Sequence, residues 1–95
     1  MNVLETIAQA TAAEPRLEIR FGQVPDLRSM AIRVSCHDVG PENKKVFKDM
    51  VVTRRELEIA RGPGLAESIV ADVLQRCIKA TMAKVRKLEG DEKTA

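Results

Sequence analysis

Cys36, His37 and Asp38 stand consecutively in this chain, and thiol, imidazole and carboxylate make a nucleophile, its base and an orienting acid when they converge. Consecutive residues of a strand point to opposite faces, so this run sends Cys36 to the dry side and His37 to the wet side. Cys36 continues an apolar series and Cys77 falls inside a helix's apolar arc, which makes both small core residues rather than a reactive pair. With a single His and two separated Cys there is no ligand spacing for zinc, and no metal or cofactor is expected. Gly62 and Gly64 precede a helix, where backbone N–H groups could hold phosphate. Neither a Walker-type Gly-Lys-Ser/Thr nor a GxGxxG follows, so the glycines read as a corner between two helices. The acids are scattered over caps and wet faces and supply no paired carboxylates for acid/base work. Catalysis is the least supported class, and no small-molecule substrate is evident.

The cations are distributed differently. Residues 76–88 hold Arg76, Lys79, Lys84, Arg86 and Lys87 and no acid, leaving eleven Lys or Arg against fourteen Asp or Glu elsewhere. The overall charge of +2 thus hides a local concentration, which favours contact with an acidic surface over general basicity. Arg86 and Lys87 suit a helix C-terminus through the macrodipole, whose influence fades within about one turn. Arg76 and Lys79 lie too far back for that, and a docking contact accounts for them better.

The elements that must carry these residues follow from periodicity. Asn2 with Glu5 has capping-box spacing, and Val3, Leu4, Ile7, Ala8 and Ala12 recur helically until Pro15. Leu17, Ile19 and Phe21 then alternate with Arg16, Glu18 and Arg20, a strand that Gly22 should close. Gln23 to Ser29 reads as a loop, and Met30, Ile32, Val34 and Cys36 form the cleanest alternation. A reversal at Gly40 and Pro41 leads to a third strand from about Lys45 to Val52. It sets Val46, Met50 and Val52 around Lys48 on one side, and Phe47 and Val51 around Asp49 on the other. Thr53 with Glu56 caps a short helix ending near Arg61, with Gly62 as its left-handed cap. The last helix spans Leu65 to Leu88, about 36 Å. Val70, Val73, Leu74, Cys77, Ile78, Val85 and Leu88 share one arc, opposite Arg76, Lys79, Arg86 and Lys87. Leu65 and Ile69 lie off that arc, so the leading half should be covered on several sides and the basic end should reach or pass the rim of the body.

These elements give one small α+β domain over residues 1–95, with a three-stranded antiparallel sheet packed against helices in the order α-β-β-β-α-α and residues 90–95 as a polar tail. The 95 residues include only two aromatics, Phe21, expected to face the core, and Phe47. A chain this short buries roughly 60 to 65 per cent of its unfolded surface, and a core of aliphatic side chains alone is often completed by a second molecule. A protein partner or homo-oligomer is therefore expected. No apolar run approaches a membrane span of ~18 residues, the N-terminus lacks a basic leader, and two cysteines suit a reducing cytoplasm or a particle assembled inside the cell.

The order of helix, three strands and helix is similar to that of double-stranded RNA-binding domains over roughly residues 2 to 88. In those domains a Lys-Lys-rich start to the final helix meets phosphate. Here Lys44 and Lys45 precede the third strand, and the final helix opens Gly64-Leu65-Ala66-Glu67. The position that meets phosphate in those domains is apolar and acidic here, and nucleic-acid binding is the second reading, carried by Arg76, Lys79, Lys84, Arg86 and Lys87 on phosphates, without base stacking or sequence reading. The reading placed ahead of it is a non-enzymatic subunit or adaptor, compositionally like small accessory or structural proteins of bacteria and their viruses. It docks through a sheet edge and the last helix, with Phe47, Val51 and Met82 for apolar contact and Arg76, Lys79 and Arg86 for steering. A membrane-surface helix is disfavoured because its apolar arc is needed for the core.

Overall fold

The computed structural model describes residues 2–24, 29–59 and 65–90. In chain order these form α1 (Val3–Ala13), β1 (Leu17–Val24), β2 (Ser29–Val39), β3 (Lys44–Val52), α2 (Arg54–Ile59) and α3 (Leu65–Glu89). The strands make one antiparallel sheet in the order β1-β2-β3, so the expected α+β architecture stands.

The caps form as their spacing requires. Asn2 Oδ1 accepts from the Glu5 backbone N–H at 2.7 Å, and Asn2 Nδ2 donates to Glu5 Oε1 at 2.9 Å. Thr53 Oγ1 accepts from the Glu56 N–H at 3.2 Å and starts α2. The bonds from the Glu5 and Glu56 N–H groups each satisfy a donor left over by the first helical turn. The expected end of α2 at Arg61 and the Gly62–Pro63–Gly64 corner lie outside the described residues.

Gly22 does not close β1. The strand runs on to Val24, with Gly22 opposite Ala31 and Val24 opposite Ser29. Glycine weakens a strand by entropy, yet its N–H and C=O still satisfy the ladder, and a paired neighbour decides the outcome.

β2 also exceeds its alternation, and the cause is a bulge. The pairing with β3 shifts between Cys36 and Val39, and Asp38 takes φ 55°. Strict alternation would send Val39 to the wet face. The additional residue turns it back into the core, where it is fully buried. The chain then reverses through Gly40, at φ 73°, with the Asn43 N–H donating to Gly40 C=O at 3.2 Å. Pro41 sits second in that turn, where its fixed φ suits the geometry.

One face of the sheet carries the core. Ile32, Val34 and Cys36 of β2 and Val52 of β3 are fully buried against Leu74 and Cys77 of α3. α3 lies over β2 and β3, and α1 lies beside it over β1, contributing Val3, Ile7 and Ala10. Thr81, also fully buried, donates from Oγ1 to the carbonyls of Val34 (3.1 Å) and Cys77 (2.9 Å), so no polar atom is stranded in the contact.

Two burial expectations are corrected. Phe21 lies on the core-facing side of β1, opposite Ile32, yet is 44% exposed, because it lines an open groove shared with Val3 of α1 and Val70 of α3. The leading turn of α3 is exposed from Leu65 to Ser68, and the trailing end is the anchored one. Apolar composition all round a helix does not ensure cover; cover requires a neighbouring element, and the sheet lies under the later turns.

Candidate docking surfaces

The anchor at the end of α3 is a clasp. Glu89 accepts both terminal nitrogens of Arg16 at 3.1 Å each, and the Gly40 backbone N–H at 3.1 Å. Arg16 also pairs with Glu14 and donates to Asp38 C=O at 2.8 Å. The Glu89 and Glu14 bonds hold the Arg16 pKa above its ordinary value. The basic end of α3 is thus tied to the start of β1 and to the β2–β3 turn instead of projecting.

The five cations differ in their surroundings. Arg76 pairs with Asp72 one turn earlier, at 2.8 Å. Lys84 Nζ donates to the Phe47 carbonyl at 2.5 Å and stands 5.8 Å from the Phe47 ring centre. Lys79, Arg86 and Lys87 are exposed, and among the described residues no acid lies within ion-pair distance of them. The sequence count missed the Asp72 partner because it began four residues too late, at the i,i+4 spacing that pairs helix charges.

The outer face of the sheet is organised in cross-strand rows. Glu18, Ser35 and Phe47 form one, Arg20, Arg33 and Asp49 the next, and Gly22, Ala31 and Val51 the third. Arg33 binds both Asp49 oxygens, at 2.7 and 2.9 Å, and its guanidinium lies 4.6 Å from the centre of the Phe47 ring. The Asp49 bond raises the Arg33 pKa, and the Arg33 bond lowers that of Asp49. Phe47 is therefore held by two cations while remaining 45% exposed, and Val51, 46% exposed, stands two rows along the same face beyond the Arg33–Asp49 pair. Sequence reading found Phe47 and Val51 but not Arg33 and Asp49; their common parity on facing strands was the available signal. Met82 is half-buried and packed against the core, a poorer contact residue than expected.

The remaining candidates fall apart chemically. Cys36 is fully buried and His37 is exposed, bonded through Nδ1 to Asp38 Oδ2 at 2.9 Å, so thiol and imidazole do not converge. Burial raises the pKa of both the Cys36 and Cys77 thiols and disfavours the nucleophilic thiolate. Among the described residues no His, Cys, Asp and Glu cluster could hold a metal, and no helix is long and apolar enough to cross a membrane. Val3, Phe21, Met30, Leu57, Ala66 and Val70 line an open apolar groove of about 460 Å³ at the other end of the molecule. Compared with family models, with curated proteins and with solved structures, the chain matches none. Function is therefore read from surface chemistry.

Proposed function

We propose that this chain is a non-enzymatic interaction subunit that docks an acidic protein surface through the outer face of β3 and the basic side of α3. The observation that carries the reading is Phe47, half-exposed and held by Arg33 and Lys84. An aromatic ring already fixed in place loses little side-chain entropy on binding, and aromatic and Arg side chains dominate interface energetics. Val51, beyond the Arg33–Asp49 pair on the same face, adds a second exposed apolar side chain, while Lys79, Arg86 and Lys87, without an acid partner among the described residues, provide positive charge that steers an acidic partner.

The test is site-specific photo-crosslinking from position 51 in cells that make the protein. One discrete protein adduct, lost in Phe47→Ala while the fold persists by circular dichroism, is the expected result. No adduct, or an adduct unaffected by Phe47→Ala, refutes the reading.

Nucleic-acid binding is the second reading, favoured by Lys79, Arg86 and Lys87 of α3, which have no acid partner among the described residues. Three phosphate contacts give a salt slope of about −2.7, a loss of roughly 40-fold between 50 and 200 mM salt, against roughly 500-fold for five. Retention on duplex DNA or RNA with that smaller slope would support it over the protein partner.

A further inference from the structure

We propose that two copies of this chain pair through their β1 edges, antiparallel about a two-fold axis at Ile19, to form a continuous six-stranded sheet. The sheet's two edges are treated differently. On β3 the Phe47 carbonyl is occupied by Lys84, and the strand carries Lys44, Lys45 and Lys48. Lysines and covered carbonyls are how natural sheets block an edge. β1 is the other outer strand and has no Lys, no Pro and no bulge along Leu17–Val24.

Its backbone is set up for pairing. The His37 N–H donates to Arg16 C=O, so even-numbered residues of β1 bond to β2 and the N–H and C=O of Leu17, Ile19 and Phe21 point outward. The Leu17 N–H is already used by Glu14 C=O. A pair centred on Ile19 therefore makes four new bonds: Ile19 N–H to Ile19 C=O in both directions, and each Phe21 N–H to the Leu17 C=O of the other copy.

Charge selects that register. Within the chain Arg20 pairs with Glu18; centred on Ile19, Glu18 of each copy also lies opposite Arg20 of the other on the outer face, joining the two pairs into one alternating four-charge cluster. The adjacent registers that also satisfy the outward groups are centred on residue 18 or residue 20, and set Glu18 against Glu18 or Arg20 against Arg20. Like charges directly opposite are destabilising, and opposite charges stabilise. On the core side the same register brings the half-exposed Phe21 beside Leu17 of the second copy.

α1 supports the same occupant. It faces α3 through Thr6, Gln9 and Ala10, and Leu4 and Ala8 lie roughly 160° round the helix from Thr6. They are exposed, Leu4 by 77%, on the side of α1 away from α3. Pairing about Ile19 puts both copies' helices on one side of the joined sheet, turning these stripes toward each other, and the small Ala8 side chain permits the 8–10 Å approach of packed helices.

The pairing uses neither the Phe47 face nor the α3 cations, so it stands or falls separately from the proposed function. The experiment is sedimentation equilibrium from 1 to 100 µM, a range set on the order of a standard-size interface's affinity. The expected species has twice the 10.5 kDa chain mass. Glu18→Arg and Arg20→Glu should each weaken the dimer about tenfold or more, and the double exchange Glu18→Arg/Arg20→Glu should restore it, since the exchanged pair is again complementary. Both side chains are on the solvent side, and unchanged circular dichroism and melting confirm that the fold is kept. A monomer throughout the range overturns the proposal. So does a dimer indifferent to both single reversals, or one lost instead in Val51→Asp, which would place self-association on the outer face.

Discussion

Replacing Glu89 by alanine opposes two effects of different sign. A carboxylate at a helix C-terminus is disfavoured by the macrodipole, so its removal alone would stabilise α3 by about 0.3–1 kcal/mol. Against that, among the described residues Glu89 accepts from both terminal nitrogens of Arg16 and from the Gly40 N–H. The Arg16 and Glu89 side chains are about a third exposed, at 30% and 34%, so solvent screening reduces the two-point ion pair to about 1 kcal/mol. The Gly40 bond to a charged acceptor adds about 1 kcal/mol. The contacts win, and Glu89→Ala should lose about 1.5 kcal/mol, lowering Tm by roughly 6–12 °C for a domain of this size. Urea unfolding at pH 7 followed by far-UV circular dichroism measures it, and a double-mutant cycle with Arg16→Ala isolates the pair, with a coupling of about 1 kcal/mol expected. If Glu89→Ala proved neutral or stabilising, or the coupling fell below about 0.3 kcal/mol, the clasp would not be what fixes the end of α3.

Leu74, fully buried between α3 and the sheet, should lose about 3 kcal/mol as Leu74→Ala, from lost transfer energy plus a cavity; urea midpoints measure this, and a loss under 1 kcal/mol would contradict the core described. Asp49 has a folded pKa below its ordinary value because Arg33 bonds its charged form. Its contribution is therefore complete above the ordinary carboxylate value of about 4 and disappears as pH falls through the folded value. Asp49→Asn should flatten the acid limb of a stability-against-pH curve, and an unchanged limb would refute the pairing. Both thiols are buried with raised pKa values, so a disulfide reagent such as Ellman's should react at pH 8 only on unfolding. Prompt reaction of either thiol with the folded chain would show that it is accessible.

How legible the molecule was in its sequence varies by element. Asn2 with Glu5 and Thr53 with Glu56 gave two helix starts correctly, because a cap bond spans only three residues. The start of α3 at Leu65 and its end one residue past Leu88 followed from an apolar arc. The ends of β1 and β2 did not. Gly22 looked like a stop, and the bulge at Asp38 breaks the alternation that would have disclosed Val39 as core. Of the candidate contact residues, Phe47 and Val51 were found by alternation. Arg33, Asp49, Arg16 and Glu89 were not, since each acts with a partner 16 or 73 residues away.

The sequence by itself determined the order of elements, the apolar side of each strand and the accumulation of cations late in the chain, because helical and strand periods and cap bonds are set by neighbours a few residues apart. Tertiary structure alone decided which of those cations find a partner among the described residues, which end of α3 is anchored and which sheet edge is left open. Those outcomes depend on groups distant in sequence meeting in space: Lys84 reaches Phe47 C=O and Glu89 reaches Arg16 only after the strands have paired and α3 has settled across β2 and β3. No local period encodes such a meeting, and burial follows from what lies above a residue, not from its own chemistry.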